Sequence, residues 1–218
     1  MTERVIAIGD VHGCSDALRA IVEAIAPTKT DVIVFLGDCI DRGPDTRGVI
    51  EQVVELSDLC KVIPILGNHE EMLLAAVDRP GTAPMWLECG GREALESYEV
   101  TEATDLPREH LLYLRTWVDY WETPTHFFAH ANYDPRIPLE NQEWGHQRWQ
   151  PLRVHLPDRH VSGKTAIVGH TSQKSGNVLN TGHLICLDTY CCGGGWLTAY
   201  DTASKHYWQA DSCGNLRN

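Results

Sequence analysis

The chain has 218 residues, of which 43% are hydrophobic and 22% are charged, a composition that is typical of a soluble globular protein and argues against extended disorder. Its 18 Lys and Arg are outnumbered by 30 Asp and Glu, giving a net charge of −12, so we expect no nucleic-acid partner, because such proteins need an electropositive surface. No uncharged apolar run approaches the ~18 residues of a membrane span, so we also expect no membrane partner.

The N-terminal residues and the cysteines both favour a cytoplasmic protein. A strand-like segment begins near Val5, with no basic region, long apolar stretch or cleavage site before it. None of the eight cysteines forms a C-x-x-C pair, which argues against a zinc ribbon or a thioredoxin-like motif. We therefore predict reduced, mostly buried thiols. The adjacent Cys191 and Cys192 are the only candidates for redox sensitivity.

The beginning of the chain has the pattern of a β-α-β unit. Residues 5–8 form a short apolar run, and a helix follows from Ser15, which can cap it. Residues 18–25 then place apolar side chains three and four positions apart, which gives the helix one apolar face. Residues 31–36 are a second apolar run, so we expect two parallel strands joined by this helix.

The same pattern recurs once and is followed by a helical region. Asp45 or Thr46 can cap a second helix, and residues 61–66 are predicted to be a third strand. Residues 70–118 are expected to form a helical insertion that covers one side of the functional site formed by the strand ends. A Gly-Gly pair at 90–91 should interrupt or bend one of its helices.

The second half of the chain contains short strands and one long loop. Residues 126–129 and 166–168 are apolar runs, and residues 134–158 between them lack a clear period. Three later segments are expected to form strands in antiparallel hairpins, namely residues 183–187, 196–200 and 205–209. The fold class predicted from this order is α/β, or α+β when the mixed strand directions are counted.

Five of the apolar runs end in residues that can bind metals or protons. Each residue alone would most often be a turn residue or a structural histidine. Their joint occurrence is hard to attribute to chance, because strand ends of one sheet converge in space and can build a single site. The residues are Asp10, His12, Asp38, Asn68, His69, His130 and His170.

The chemistry of these side chains fits two divalent metal ions. Asp10 and His12 are two positions apart, so in an extended backbone they point the same way and can hold one ion. Asp38 can bridge this ion to a second one, because a carboxylate has two oxygens. Mixed imidazole and oxygen ligands favour manganese, with iron or zinc as alternatives, over calcium or an all-oxygen magnesium site. The later motifs provide the other donors of the second ion, Asn68, His130 and His170.

Three further residues have the chemistry of phosphate transfer. Two metal ions about 3.5 to 4 Å apart would activate water and bind phosphoryl oxygens. Arg42 is then a natural clamp for the substrate phosphate. His69 can protonate the leaving group if Asp41 supports its imidazole, although Asp41 could instead pair with Arg42 and His69 could be a further ligand.

These motifs resemble those of the phosphoprotein phosphatase family of metallophosphoesterases, in particular the bacterial and bacteriophage-lambda-like serine/threonine phosphatases. The matching segments stand in the family's order and cover most of the chain, at residues 9–13, 37–43, 67–70, 130–132 and 169–171. The resemblance implies one domain over residues 1–218, a central β-sandwich flanked by helices, a dinuclear metal site, and phosphomonoester hydrolysis by metal-activated water without a covalent enzyme intermediate.

The resemblance also implies a role for each matching residue. It assigns the same six metal ligands, with Asp38 shared by the two ions, and makes His69 the acid, Asp41 its partner and Arg42 a phosphate ligand. The family has a second phosphate-binding arginine between the two later histidine motifs, for which Arg148 is the first candidate and Arg153 the next. The chain departs from the family in His-Ala-Asn at 130–132 and in the sequence after Asp188, both expected to face the substrate.

We therefore predict a metal-dependent phosphomonoesterase that acts on phosphoserine or phosphothreonine in a phosphoprotein or phosphopeptide, with phosphotyrosine as a further substrate class. The alternative is a symmetrical dinucleoside-tetraphosphate hydrolase with the same metal site. The intact Asp41-Arg42 pair favours the phosphatase, since relatives that cleave tetraphosphates tend to alter the aspartate. A metal-binding scaffold without activity is disfavoured, because no expected catalytic position is missing.

Overall fold

The computed structural model describes residues 4–217 as two mixed β-sheets with helices packed mainly on one side. The strands, in chain order, are β1 (Val5–Ile8), β2 (Val32–Phe35), β3 (Lys61–Pro64), β4 (Tyr120–Glu122), β5 (His126–Ala129), β6 (Thr165–Val168), β7 (Leu179–Asn180), β8 (Leu184–Cys186), β9 (Asp188–Thr189), β10 (Trp196–Asp201) and β11 (Tyr207–Ala210). The longer helices are α1 (Ser15–Ile25), α2 (Thr46–Leu59) and α3 (Asn68–Asp78), and the shorter ones are α4 (Ala83–Trp86), α5 (Arg92–Ser97), α6 (Arg108–Leu114) and α7 (Trp144–Trp149).

The first sheet has the order β11-β10-β1-β2-β3, with β9 paired to β10. Its strands β1, β2 and β3 are parallel, in the register Val5 to Val32 and Val32 to Lys61, which confirms the predicted β-α-β units. Strands β10 and β11 form the predicted antiparallel hairpin. Asp45 caps α2 by accepting the backbone N–H of Gly48 at 2.8 Å.

The second sheet has the order β4-β5-β6-β8-β7. The prediction that residues 183–187 form an antiparallel hairpin is half right, because β8 pairs antiparallel with β7 but parallel with β6. All three residues of β8 are buried. A short run that is buried on both faces is typical of an interior parallel strand, and periodicity cannot distinguish it from a hairpin strand.

Side chains of the first sheet alternate between two cores. Ile6 and Ile8 of β1 pack with α1 and α2 on one face. Ala7, from the same strand, packs on the other face against Phe128 and Ile167 of the second sheet. The two sheets therefore pack face to face, as predicted for a β-sandwich, and α1 and α2 cover the outer face of the first sheet.

The helical region and the predicted loop differ in detail from the expectation. The helical backbone kinks between α4 and α5, in the segment Leu87–Gly91, where Gly90 has φ +117° and the Gly-Gly pair predicted an interruption. Residues 134–158 are not structureless, because they contain α7 and a 3-10 turn at Leu139–Asn141. Among residues 4–217, no helix has the length and apolar character to cross a membrane.

Candidate metal centre

The predicted ligands follow the carboxyl ends of parallel strands, and two glycines let these strand ends approach each other. Gly37 has φ +91°, and a Cβ there would lie 2.7 Å from the backbone nitrogen of Gly67 and 2.7 Å from His130 Nδ1. A Cβ at Gly169 would lie 2.1 Å from Asp10 Oδ1. Any larger residue would push the strand ends apart, so the glycines of these motifs are required by close packing.

Asp38 lies between two groups of donor atoms. Asp38 belongs to both groups. The first group also contains His12 and His69, and the second also contains His130 and His170. Within each group the possible metal-binding atoms lie within 4.8 Å of one another. Oδ2 of Asp38 is 3.7 Å from His12 Nε2, whereas Oδ1 is 3.3 Å from His130 Nε2. One oxygen therefore faces each group, as a carboxylate that bridges two ions requires.

Three imidazoles of the site are oriented by backbone oxygens, and the one of His170 is held through Nε2, 3.1 Å from the oxygen of Trp149. Nδ1 of His12 lies 2.9 Å from the oxygen of Ile40, and Nδ1 of His130 lies 2.7 Å from the oxygen of Leu36. For His12 and His130, Nδ1–H donates to the carbonyl, so Nε2 is the nitrogen that lies on the side of Asp38 and can bind a metal ion. This arrangement of a ligating nitrogen and a hydrogen-bonded second nitrogen is the usual one for a metal-binding histidine.

The amide oxygen of Asn68 completes the second group. It lies 3.0 Å from Nε2 of His130 and 2.9 Å from Nδ1 of His170. Burial lowers the pKa of His170 to about 4 and that of His12 to about 3, so both rings are neutral at pH 7. Burial alone would also lower the pKa of His130, but the facing Asp38 raises it to about 10.

Asp10 lies at the edge of these groups. Its two oxygens accept the backbone N–H of His170, at 3.1 and 3.0 Å, and the residue is 3% exposed. Burial raises the pKa of Asp10 well above its usual value, and the nearby Asp188 adds to this effect. The structure brings His69, rather than Asp10, within 4.8 Å of His12 and Asp38. The role of Asp10 as a ligand therefore stays a prediction, although a cation would offset the cost of burying its charge.

The predicted acid pair is in contact and buried. Nδ1 of His69 lies 2.7 Å from Oδ2 of Asp41, and the two side chains are 1% and 0% exposed. Burial alone would lower the pKa of His69, but Asp38 and Asp41 outweigh it and raise that pKa. The raised pKa favours the protonated imidazole that a general acid needs. Arg42 is exposed, with Nη1 2.7 Å from Nε2 of His12, so a phosphate at the site can reach its guanidinium.

The comparison with protein families decides the class. A family model described as calcineurin-like phosphoesterase matches residues 3–210. The chain belongs to this family. Members of the family are metallophosphoesterases, so a phosphoester hydrolase with a metal centre is the activity that the family assigns to the chain.

Two curated relatives of this phosphoesterase are symmetrical bis(5'-nucleosyl)-tetraphosphatases. The enzyme of Vibrio cholerae is 25% identical in an alignment of 261 positions, gaps included, which spans 92% of this chain and 95% of that enzyme. The enzyme of Acidovorax sp. is 41% identical over 71 residues, which are 32% of this chain. The match to the Acidovorax enzyme spans only about a quarter of its length, 24%.

Two solved structures share the fold. A crystal structure of a candidate diadenosine tetraphosphatase superposes with a TM-score of 0.74 at 22% identity, covering 95% of this chain and 92% of that one. A cold-active protein tyrosine phosphatase of Shewanella superposes with a TM-score of 0.68 at 17% identity, covering 100% of this chain and 80% of that one. At these identities the two structures establish the calcineurin-like fold.

Arg148 and Arg153, the two candidates for the second phosphate ligand of this phosphoesterase, have different surroundings. The guanidinium of Arg148 is paired with Glu71 at 3.0 Å and also with Asp119, and its side chain is 16% exposed. Arg153 is exposed and lines a cavity of about 550 Å³ together with Thr171. Thr171 directly follows the donor His170. The pairing of Arg148 leaves Arg153 as the more accessible cation of the two.

Glu70 and Trp86 of this phosphoesterase have site contacts that the sequence reasoning did not assign. Glu70 is 0% exposed, and its carboxylate accepts backbone N–H groups of the loop that carries Asp38. The indole Nε1 of Trp86 donates to the carboxylate of Asp41. Glu70 could have been found from its place in Gly-Asn-His-Glu, whereas nothing in the sequence around Trp86 indicates its contact.

Proposed function

We propose that this phosphoesterase cleaves dinucleoside tetraphosphates symmetrically, adding water to yield two nucleoside diphosphates. The observation that carries the proposal is the match to the Vibrio cholerae tetraphosphatase along 92% of this chain and 95% of that enzyme. The sequence motifs alone placed the phosphoprotein phosphatase first and this activity second. The comparisons support the opposite order, because both curated relatives described above are tetraphosphatases.

The donor set supports a dinuclear centre for this reaction. His12 and Asp38 would hold one ion, with Asp10 as the predicted further ligand, and Asp38, Asn68, His130 and His170 would hold the other. When bound, such ions supply Lewis-acid activation of the phosphoryl group and of water. Imidazole with carboxylate and amide oxygens suits manganese, with iron or zinc as alternatives.

The protein side chains have separate tasks in the reaction. Arg42 is exposed beside His12 and can hold an oxygen of the scissile phosphoryl group by a charge-assisted hydrogen bond. His69, supported by Asp41, can donate its Nε2 proton to a leaving oxygen that is basic enough to need one, since its Nδ1 is engaged by the carboxylate. The backbone oxygens of Ile40, Leu36 and Trp149 keep the three ligand imidazoles in place.

A cavity whose lining includes Thr171, the residue after the donor His170 in sequence, supports a substrate that extends beyond one phosphate. It has a volume of about 550 Å³, within the range of small-molecule sites. Its lining includes two cations, Arg153 and Lys174, and apolar side chains such as Leu156. Cations and apolar surface together suit a nucleoside phosphate.

The buried acid pair favours a second candidate, the phosphoprotein phosphatase. A nucleoside diphosphate is a good leaving group, because the second pKa of a phosphate is about 6 and it needs no proton at pH 7. A serine or threonine alkoxide is far more basic and must be protonated as it leaves. The 2.7 Å contact between His69 and Asp41 is therefore better matched to a phosphomonoester with an alkoxide leaving group.

A substrate panel with purified protein and Mn²⁺ tests both candidates. The proposal expects diadenosine tetraphosphate to yield ADP as the sole nucleotide product, at a kcat/KM above that for phosphoserine peptides. Release of ATP and AMP, or hydrolysis of phosphopeptides without cleavage of the tetraphosphate, would overturn it. The dinuclear centre is tested on the same preparation by measuring metal content and activity before and after chelation. We expect chelation to remove the metal and the activity, and added Mn²⁺ to restore the activity.

A further inference from the structure

The buried carboxylate of Asp41 has a second partner besides His69. The indole Nε1 of Trp86 lies 3.0 Å from Oδ1 and 3.0 Å from Oδ2 of Asp41. Both Trp86 and Asp41 are 0% exposed. Among residues 4–217, Trp86 provides the hydrogen bond to Oδ1, whereas Oδ2 is shared between Trp86 and His69.

The backbone after Trp86 is shaped to bring this indole to the catalytic loop. The helical backbone kinks in the segment Leu87–Gly91, and a Cβ at Gly91 would lie 2.4 Å from Cε2 of Trp86. At the same kink the oxygen of Gly90 accepts the backbone N–H of Arg42 at 3.0 Å. Trp86 and the kink that follows it thus contact the neighbouring residues Asp41 and Arg42.

The energetic case for the indole follows from burial. A buried carboxylate oxygen without a donor carries its full desolvation cost, so Asp41 needs a hydrogen bond to each oxygen. With Nε1 of Trp86 in place, the carboxylate is fixed in the orientation in which Oδ2 meets Nδ1 of His69 at 2.7 Å. Without that donor, the carboxylate is expected to rotate, and this rotation weakens its support of His69.

We propose that Trp86 is a positioning residue for the acid pair: its indole N–H orients Asp41, and Asp41 in turn orients the His69 imidazole towards the leaving group. This inference rests on the proposed phosphoester hydrolysis with His69 as the acid. Trp86 lies in the helical region, 45 positions from Asp41 in sequence, and its contact acts on the proton-transfer step and not on metal binding.

The chain offers a matched control for a Trp86→Phe variant. Trp117 is also buried, at 6% exposed, and belongs to the same hydrophobic core. Its Nε1 has no hydrogen-bond partner among the described residues. Trp117→Phe therefore makes the same chemical change in the same core without removing a hydrogen bond, and separates loss of packing from loss of the contact to Asp41.

The kinetic test uses leaving groups of different basicity. For phenyl phosphate, whose phenoxide needs a proton, kcat of Trp86→Phe should fall about ten-fold or more, the scale of one hydrogen bond to a charged group. For p-nitrophenyl phosphate, whose leaving group is far less basic, the fall should stay within about two-fold. Metal content and KM should be unchanged, and Trp117→Phe should behave as wild type. In an Asp41→Asn background, Trp86→Phe should add little, because the two residues act in series.

An equal loss of kcat for both aryl phosphates, or an equal loss in Trp86→Phe and Trp117→Phe, would overturn the proposal and leave a packing role.

A spectroscopic measurement tests the proposal independently of activity. The indole N–H proton that disappears from the NMR spectrum in Trp86→Phe should be shifted downfield in wild type, and Asp41→Asn should move it. If the chemical shift of the Trp86 indole proton is the same in Asp41→Asn as in wild type, the contact between Trp86 and Asp41 is overturned. Failure of every phosphoester substrate would overturn the proposed function, and the NMR result would still decide the contact.

Discussion

The backbone N–H of Asp38 donates to Oε2 of Glu70 at 2.9 Å, in a part of the molecule that water does not reach. The same carboxylate accepts the N–H groups of Cys39 at 2.8 Å and of Gly67 at 3.0 Å. Asp38 has φ +49°, a left-handed conformation that costs energy for a residue other than glycine. Glu70 therefore stabilises the strained loop on which the shared donor Asp38 depends.

Replacing Glu70 by Gln should loosen this loop. An amide has one acceptor oxygen, so its NH₂ group would face backbone N–H donors that Oε1 or Oε2 now satisfies. We expect Glu70→Gln to lower the free energy of unfolding by about 2 kcal/mol or more, the cost of leaving buried donors unpaired. Urea denaturation would measure this loss, and metal titration should show weaker binding. Glu23→Gln, at an exposed position of α1, is the control and should match wild type.

The two aspartates of the loop after β2 should fail in different ways. Asp38 faces both donor groups, whereas the side chain of Asp41 contacts His69 and Trp86. Asp38→Asn should therefore reduce bound metal, as measured by elemental analysis. Asp41→Asn should keep its metal and lower kcat for a basic leaving group by about 10²-fold, the scale of general acid catalysis. Equal metal loss from both variants would show that this division of roles is wrong.

Much of this arrangement could be predicted from the sequence, because parallel strand ends converge. Once residues 5–8 and 31–36 are identified as strands joined by α1, the residues that follow them must lie at one edge of the sheet. The structure brings Asp38 together with His12 in this way. His130 follows β5 of the second sheet, so its approach to Asp38 depends on how the two sheets pack. Strand direction and residue type were therefore sufficient for the donors that follow the first sheet only.

Contacts that depend on tertiary packing could not be predicted. The pairing of Arg148 with Glu71 and Asp119 joins segments that share no sequence pattern. The direction of β8 depends on which neighbour covers it, and a three-residue buried run gives no sign of this. Trp86 looks like any core aromatic in sequence, since only the path of the backbone into the kink at Leu87–Gly91 aims its N–H at Asp41.

The two candidate arginines should differ in their effects on substrate binding. Arg153 lines the cavity beside Thr171, so Arg153→Met should raise KM for diadenosine tetraphosphate by about ten-fold, the scale of a charge-assisted hydrogen bond. Arg148 joins α7 to Glu71 of α3 and to Asp119, so Arg148→Met should mainly lower the unfolding temperature. A large rise in KM in Arg148→Met with unchanged stability would return the phosphate-binding role to Arg148.

Asp31, which lies away from the metal centre, should make the stability of the fold depend on pH in the acid range. Its carboxylate accepts two hydrogen bonds from Arg4, at 3.0 and 2.6 Å, and one from the backbone N–H of Thr28. Arg4 lowers the pKa of Asp31 from 3.8 to about 2. Because the folded state binds the proton more weakly than the unfolded state, the carboxylate contributes about 2 kcal/mol of stability at neutral pH. That contribution is complete above the unfolded pKa near 4 and is lost as the pH falls towards 2.

Asp31→Asn should therefore lower the free energy of unfolding by about 2 kcal/mol at pH 7, with a difference from wild type that shrinks as the pH falls from 5 to 3. Urea denaturation over this pH series measures the difference. The control is Asp16→Asn, which removes an exposed ion pair with Arg19 whose side chains are 60% and 58% exposed, and should cost less than about 1 kcal/mol at any pH. A difference between Asp31→Asn and wild type that stays constant down to pH 3 would mean that Asp31 stabilises the fold by the shape of its hydrogen bonds and not by its charge, because only the charged form is lost on acidification.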